Sequence, residues 1–327
     1  MTKGDHKMTS RERVERAIRF EEPDRLPFNF WMDRRRMAEL NGKYGEDFRI
    51  TRYDADVVEA MNMVPFPAGR FEEQAGTDWM VEPLFTDWNE TPDIELPDPS
   101  DPVLTANTEA MLKRYPDKAV IPNLPNVLTH VEMMISQADF FMDLMDEPEL
   151  VGKFFHRMSD IMATVAERLC KLDITALYVM DDIAANSGLM MSPAQAREHI
   201  IPHWKKVIDV AHAAGKPVFF HTDGKVVELY DIFADELKVR MLNPLQPDLQ
   251  DCGEFSTTYK GRTGIYGGLY TGRIHMMTPD EIRVHVFDLF EKTGKGGGLV
   301  VSSHDLDIST TEEQLDALTG AIKECTY

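Results

Sequence analysis

His221 and Asp223 stand two positions apart at the end of the apolar run Pro217-Val-Phe-Phe-His-Thr-Asp-Gly224. Successive side chains of a strand alternate between its faces, so this imidazole and this carboxylate would converge on one face. Two further apolar runs end in the same way, one at Asp181-Asp182 and one at His304. Because imidazole and carboxylate groups serve acid–base chemistry and metal binding, these strand ends predict one shared site.

Each of these residues also has a structural interpretation. Asp181 and Asp182 would point to opposite faces, so at most one lines the site. If no metal is present, one of the pair could act as a general acid, because adjacent carboxylates in a poorly solvated mouth can have one pKa raised. Asp223 precedes Gly224 and a segment typical of a helix start, so it is equally a candidate N-cap. His304 could likewise build the turn into the helix predicted at Thr311.

Alternating strand and helix signals from Ala119 onward predict how these residues are positioned. The predicted strands are Val120–Asn123, Leu177–Asp181, Val218–His221, Val239–Asn243, Gly264–Leu269 and Leu299–Ser302, and the clearest predicted helices are 193–214 and 278–293. Repeated βα units call for a parallel sheet. Polar residues end many successive strands and no Gly-rich phosphate motif follows any of them, which favours an α/β fold of the closed (β/α)8 barrel type.

The chain organisation is predicted to be a single domain, residues 1–327. Residues 1–50 hold an irregular N-terminal extension, in which a helix capped at Thr9 is followed by a first strand region near Trp31. The Pro- and Asp-rich residues 83–102 predict an extended excursion over the surface or the barrel mouth.

Composition excludes several classes of protein. The 327 residues carry a net charge of -21, which disfavours nucleic acid as a partner. No apolar stretch is long enough to span a membrane, and the polar start Met1 to His6 is unlike a signal peptide, so a cytoplasmic location is expected. Three widely spaced cysteines, Cys170, Cys252 and Cys325, provide neither a CxxC pair nor a disulfide framework.

Six motifs, taken in order, resemble the uroporphyrinogen decarboxylase superfamily, and particularly its corrinoid-dependent methyltransferase branch. They are Glu22-Pro-Asp-Arg-Leu-Pro27, Asp181-Asp-Ile with Met191-Ser-Pro193, Phe220-His-Thr-Asp-Gly224, Leu242-Asn-Pro-Leu-Gln-Pro247, Tyr266-Gly-Gly268 and Gly297-Gly-Leu-Val-Val-Ser-Ser-His304. The resemblance implies a (β/α)8 barrel with its site at the C-terminal mouth, in agreement with the strand pattern.

Departures from the family pattern distinguish its branches. The arginine motif by which true uroporphyrinogen decarboxylases hold the tetrapyrrole carboxylates is replaced by Asn29-Phe-Trp-Met-Asp-Arg-Arg-Arg36. The His-x-Cys and late Cys that bind zinc in thiol-coenzyme methyltransferases are replaced by His221-Thr-Asp223 and Ser302-Ser-His304. Zinc also accepts nitrogen and carboxylate oxygen, so His221, Asp223 and His304 form a candidate zinc set, with Asp182 as a possible fourth ligand.

A zinc centre without thiolates is harder and more electrophilic, which suits activation of an ether oxygen. The expected function is therefore methyl transfer from a small O-methyl donor to a corrinoid carried by a separate protein. His221, His304, Asp182 and Asp181 are the catalytic candidates. Candidate substrate-binding residues, near the strand ends, are Asn29, Trp31, Arg34, Gln246 and Tyr270.

Some alternatives stay open at this point. The chain could be a tetrapyrrole decarboxylase, which would need a basic cleft built from Arg34 to Arg36, or a non-catalytic barrel. Gln246 and Asn243 could serve the backbone around Pro244 and Pro247. The spacing of Glu167, Asp182 and His203 weakly resembles a zinc pattern of ether demethylases, although His199, His203 and His212 are expected on helix surfaces. A homodimer is possible.

Overall fold

The computed structural model describes residues 8–74 and 77–327, so the predicted features of Met1 to His6 lie outside the described residues. The α-helices are α1 Ser10–Ile18, α2 Arg34–Tyr44, α3 Phe48–Thr51, α4 Val103–Arg114, α5 Val127–Val131, α6 Gln137–Asp146, α7 Pro148–Cys170, α8 Pro193–His199, α9 Ile201–Ala213, α10 Cys252–Thr258, α11 Pro279–Leu289 and α12 Glu312–Glu324. The strands are β1 Trp31–Met32, β2 Val57–Met61, β3 Arg70–Gln74, β4 Thr77–Glu82, β5 Ala119–Pro125, β6 Leu177–Met180, β7 Ala184–Ala185, β8 Gly188–Leu189, β9 Val218–His221, β10 Met241–Asn243, β11 Gly264–Gly268, β12 Leu299–Ser302 and β13 Asp305–Leu306.

Seven parallel strands form one sheet in the order β12-β11-β10-β9-β6-β5-β2. The segment before β1 closes this sheet. Asn29 N donates a hydrogen bond to Val301 O at 3.0 Å on one side, and Asp56 N donates to Phe28 O at 2.8 Å on the other. This segment therefore occupies the eighth strand position between β12 and β2, and the predicted (β/α)8 barrel is confirmed.

The inward positions of the strands change from apolar to polar along the barrel axis. Near the N-terminal end, Val57, Ala119 and Phe219 pack with Val14 and Ala17 of α1, which closes that end of the barrel. Two positions further along β2 and β9, the inward residues are Glu59 and His221, whereas β5 is still apolar at Ile121 and becomes polar at Asn123. The period of two thus places an apolar plug below and a polar layer at the C-terminal mouth, where barrels of this type hold their sites.

The predicted elements agree with the structure to within a few residues, with three differences. Residues 193–214 form two helices, α8 and α9, joined at Ile200, although α8 does begin at the predicted Ser192 cap with a capping box. The sequence pattern missed strand β2 and the β3–β4 hairpin. Residues 83–102 include the 3-10 helix Trp88–Asp93, and Phe85 and Trp88 are buried against Phe154, which anchors the excursion.

Within the described residues, no helix has the length and apolar character needed to cross a bilayer.

Candidate functional site

His221, Asp223 and His304 come together at the C-terminal mouth of the barrel, where one ligand atom from each lies within 4.8 Å of the others. His304 Nδ1 is 3.4 Å from Asp223 Oδ2, and His221 Nε2 is 3.9 Å from the same oxygen. The two imidazole rings lie 5.1 Å apart. Two strand ends distant in sequence thus deliver two nitrogens and a carboxylate to one point.

The ring of His221 is held by Asn243, the last residue of β10. Asn243 Oδ1 lies 2.6 Å from His221 Nδ1 and also accepts a hydrogen bond from the Tyr178 hydroxyl at 2.6 Å. Asn243 Nδ2 donates to the backbone oxygen of Tyr266, which fixes the orientation of the amide. Since an amide oxygen only accepts, His221 Nδ1 carries a proton, and Nε2 faces the carboxylates with its lone pair free to bind a metal.

Asp181 and Asp182 point to opposite sides of the barrel wall, as strand alternation predicts. Asp182 Oδ1 accepts a hydrogen bond from Asp223 N at 2.7 Å and lies 3.7 Å from His221 Nε2. Asp181 is fully buried outside the barrel, where its carboxylate accepts from Leu128 N, Thr129 N and Trp204 Nε1. Burial raises the pKa of Asp181 to about 7 in spite of these donors. The structure therefore brings Asp182, and not the candidate Asp181, to the cluster.

Asp223 does not cap a helix, contrary to the alternative interpretation from the sequence. The next helical turn, Val227–Leu229, has Val226 at its N-cap position and no side-chain cap. Asp223 Oδ2 faces the two histidines, and Oδ1 is buried without a hydrogen-bond partner among the described residues. A buried carboxylate oxygen that lacks a partner favours a cation, and the two-nitrogen, one-oxygen donor set fits zinc with a further position open.

A second polar cluster, the Glu59 cluster, lies inside the barrel and consists of Glu59, Asn29, Asn123 and Tyr266. Glu59 is 8% exposed, and its carboxylate accepts hydrogen bonds from Asn29 Nδ2 and Asn123 Nδ2, each at 3.0 Å, and from the Tyr266 hydroxyl. Sequence reasoning selected only Asn29 from this set. The missed signal was the spacing of Val57, Glu59 and Met61, a period of two in a strand that the pattern did not predict.

The remaining substrate-binding candidates are placed differently. Trp31 lies in β1, which pairs with β13. Its backbone forms hydrogen bonds with the Ser303 hydroxyl, and the Arg49 guanidinium lies over its ring. Gln246 Oε1 accepts from Gly224 N at 3.1 Å, in agreement with a role toward the backbone. The ring of Tyr270 packs against the ring of His285, with the ring centres 4.3 Å apart, and lines a cavity of about 290 Å³ between α10 and α11.

Arg34 is not brought to the cluster. Its side chain is 74% exposed and lies 4.0 Å from Asp78 of the β3–β4 hairpin. Arg35 pairs with Asp33, and Arg36 pairs with Glu39. The basic cleft that the decarboxylase alternative would need does not form, because Arg34 faces the hairpin and the other two arginines pair with acidic side chains within α2 and at its N-cap.

The three residues whose spacing weakly resembles a zinc pattern, Glu167, Asp182 and His203, are not brought together either. Glu167 is exposed and pairs with Lys171. His203 is buried rather than on a helix surface, with Nδ1 3.1 Å from the Ser159 hydroxyl and the ring edge against Phe155. The surface prediction for His203 was wrong because α9 packs this face against α7.

The fold and the cluster together define a (β/α)8 barrel protein with histidine and carboxylate groups at its C-terminal mouth. The sequence model of the uroporphyrinogen decarboxylase (URO-D) family matches residues 69–325, so the chain belongs to this family. The family predicted from the six motifs is thereby confirmed. No curated protein sequence matches the chain.

Similar folds occur among solved structures. A methyltransferase from Methanosarcina mazei is 14% identical with a TM-score of 0.76, and the match covers 97% of this chain and 99% of that one. A β-L-arabinopyranosidase from Geobacillus stearothermophilus is 11% identical over 95% and 78% of the two chains, with a TM-score of 0.44. D-psicose 3-epimerase from Clostridium cellulolyticum H10 is 10% identical over 90% and 93%, with a TM-score of 0.43. At 14% identity, the likeness to the methyltransferase supports the fold alone.

Proposed function

We propose that this protein is a methyltransferase that moves a methyl group from a small O-methyl donor to a corrinoid carried by a separate protein. The observation that carries the proposal is the cluster of His221, Asp223 and His304 at the mouth of a URO-D family barrel. The likeness in fold to a methyltransferase from Methanosarcina mazei is consistent with it.

The residues in the mouth fit assistance by zinc. His221 Nε2, Asp223 and His304 Nδ1 would hold the ion, which, when bound, supplies a Lewis acid that makes the donor's oxygen a better leaving group. Asn243 keeps the proton of His221 on Nδ1, away from the cluster. If the site works without a metal, Asp182, whose side chain is 44% exposed and lies beside His221, is the group placed to give a proton to the departing oxygen.

The charge of the mouth argues against the decarboxylase alternative. Uroporphyrinogen is a polycarboxylate, and its binding requires cationic groups placed to match several carboxylates. Here the mouth presents Glu59, Asp182 and Asp223, while Arg34 to Arg36 pair with acidic side chains elsewhere. The non-catalytic alternative accounts poorly for Asp223, whose Oδ1 is buried without a hydrogen-bond partner among the described residues.

The proposal is tested by metal content and by methyl transfer. Protein purified without chelator or affinity metal should contain about one zinc per chain, and the His221→Ala variant should lose it. His275→Ala, which alters a histidine on a separate short helix, is the matched control. With zinc present, free reduced cobalamin and a panel of methoxyarenes should yield methylcobalamin, detected by its absorption spectrum.

Two results would contradict this function. If the His221→Ala and wild-type proteins retained zinc equally, the metal would not be bound at the cluster. Conversion of uroporphyrinogen without any methylation of cobalamin would move the assignment to the carboxy-lyases.

A further inference from the structure

The Glu59 cluster is an arrangement of hydrogen-bond acceptors enclosed in the barrel. Asn29 is 0% exposed and Asn123 is 1% exposed, and both turn their Nδ2 groups to the Glu59 carboxylate. The reverse orientation would set an amide oxygen against the carboxylate, so electrostatics fixes both amides. As a result, the Oδ1 atoms of Asn29 and Asn123 are buried and have no hydrogen-bond partner among the described residues.

Within the described part of the chain, Glu59 also lacks a cationic partner. Its three hydrogen-bond partners, Asn29, Asn123 and Tyr266, are all neutral, and no cationic side chain of the described residues pairs with it. A buried carboxylate and two unpaired carbonyl oxygens are costly in a low-dielectric interior. A group that donates hydrogen bonds would relieve that cost, and a positively charged donor would relieve more of it.

The Glu59 cluster is continuous with the proposed catalytic cluster. Tyr266 donates its hydroxyl to Glu59, and its backbone oxygen accepts from Asn243, which holds His221. The Tyr178 ring lies 5.7 Å from the Tyr266 ring and 6.2 Å from the His221 ring. The two clusters are therefore joined by one continuous set of contacts at the same end of the barrel.

Met61 links the Glu59 cluster to solvent. It is 40% exposed, and its sulfur lies 3.1 Å from Asn123 Nδ2. Its unbranched thioether has several rotatable bonds and can give way to a ligand at little cost.

We propose that Glu59, with the Oδ1 atoms of Asn29 and Asn123, forms a subsite for a hydrogen-bond-donating head group of the methyl donor, either a hydroxyl or an ammonium. This inference rests on the proposed function, because it names the part of the same substrate that lies away from the transferred methyl group. The subsite selects donors that carry such a group and rejects those in which it is capped, since a capped group leaves the acceptors buried and unpaired.

Binding of three probes, measured by calorimetry on the full chain without corrinoid, tests the subsite. The probes are 2-methoxyphenol, 2-methoxybenzylamine and 1,2-dimethoxybenzene, which differ in the head group next to a common methoxyarene. We expect one of the first two to bind at least about tenfold more tightly than 1,2-dimethoxybenzene. Equal affinity for all three probes, or binding of none, would overturn the subsite.

Glu59→Gln separates the two head groups. If the native head is an ammonium, this variant should lose at least about tenfold in affinity for 2-methoxybenzylamine, because the charge is gone. If the head is a hydroxyl, 2-methoxyphenol should remain the preferred probe with a smaller loss, because the glutamine oxygen still accepts. Glu109→Gln, a carboxyl change on the outer helix α4, is the control and should bind as wild type.

Failure of the subsite and failure of the function give different results. Selective binding of one probe with no methylation of cobalamin would leave the subsite standing and contradict the methyltransferase. Methylation from all donors, with no preference between 2-methoxyphenol and 1,2-dimethoxybenzene, would support the methyltransferase and contradict the subsite. The preference of the wild-type protein decides the matter even if Glu59→Gln does not fold.

Discussion

Asn243 Oδ1 lies 2.6 Å from His221 Nδ1, and this contact decides which nitrogen of the imidazole faces the site. The same oxygen accepts from Tyr178, whose pKa is raised well above its ordinary value by burial, so the phenol keeps its proton and donates. An acceptor with both lone pairs engaged holds the ring firmly. In metal sites, a hydrogen-bond partner of this kind fixes the tautomer and the orientation of a histidine ligand and so contributes to metal affinity.

Removal of this acceptor should weaken metal binding without removing a ligand. Asn243→Ala is expected to lower zinc affinity about 10- to 100-fold, because the ring of His221 is then free to rotate and change tautomer. Asn243→Asp keeps an acceptor at the same place and should restore much of the affinity. Competition with a chromophoric chelator measures both, and an unchanged affinity in Asn243→Ala would show that the contact does not position the ligand.

Asp181 and Asp182 are adjacent in sequence and should behave in opposite ways. Asp181→Ala leaves Leu128 N, Thr129 N and Trp204 Nε1 buried without their acceptor, which should cost about 3 kcal/mol or more of unfolding free energy. Asp182→Ala, at a half-exposed side chain, should cost about 1 kcal/mol or less but reduce methyl transfer. Urea denaturation compares the two, and a greater loss of stability in Asp182→Ala would contradict the assignment.

His203 should contribute to the loss of stability in acid. Burial lowers its pKa from 6.5 to about 4, so the unfolded chain binds a proton that the folded protein does not between these values. Stability from this group is complete above pH 6.5 and decreases as the pH falls to 4, at about 1.4 kcal/mol per pH unit.

Denaturation of a His203→Gln variant at a series of pH values checks this dependence. The variant should show a shallower loss of unfolding free energy between pH 6.5 and 4 than the wild type. Ser159→Ala removes the hydrogen bond at Nδ1 but keeps the imidazole, so it should retain the steeper dependence. Identical slopes in His203→Gln and wild type would mean that this histidine titrates normally in the folded protein.

Gly224 should tolerate no side chain. It has φ +83, and a Cβ placed on it would lie 2.6 Å from the backbone oxygen of Ala184. Gly224→Ala should therefore cost about 2 kcal/mol or more and displace the adjacent Asp223, with loss of zinc. Gly272→Ala, where a Cβ would meet nothing within 4 Å, is the control. Wild-type stability and zinc content in Gly224→Ala would contradict this account of the loop.

The sequence by itself determined the barrel and the strand ends that carry the His221 cluster. Apolar runs of four to seven residues that end in polar side chains follow from burial on both faces of a parallel sheet, and this signal is local. For the same reason the sequence placed Asp181 and Asp182 on opposite faces. The caps at Thr9, Ser192 and Thr278 were likewise local, because each capping box lies within four residues.

Only the tertiary structure decided which side chains meet across the barrel. Glu59 and Asn29 join Tyr266, more than 200 residues away in the chain, because closure by residues 27–32 sets β2 beside the first strand position. The same closure does not bring Arg34 into the barrel, because Arg34 lies on α2, where its side chain is exposed. Local pattern fixes the face on which a residue lies, but partners across a closed barrel depend on contacts that no local pattern contains.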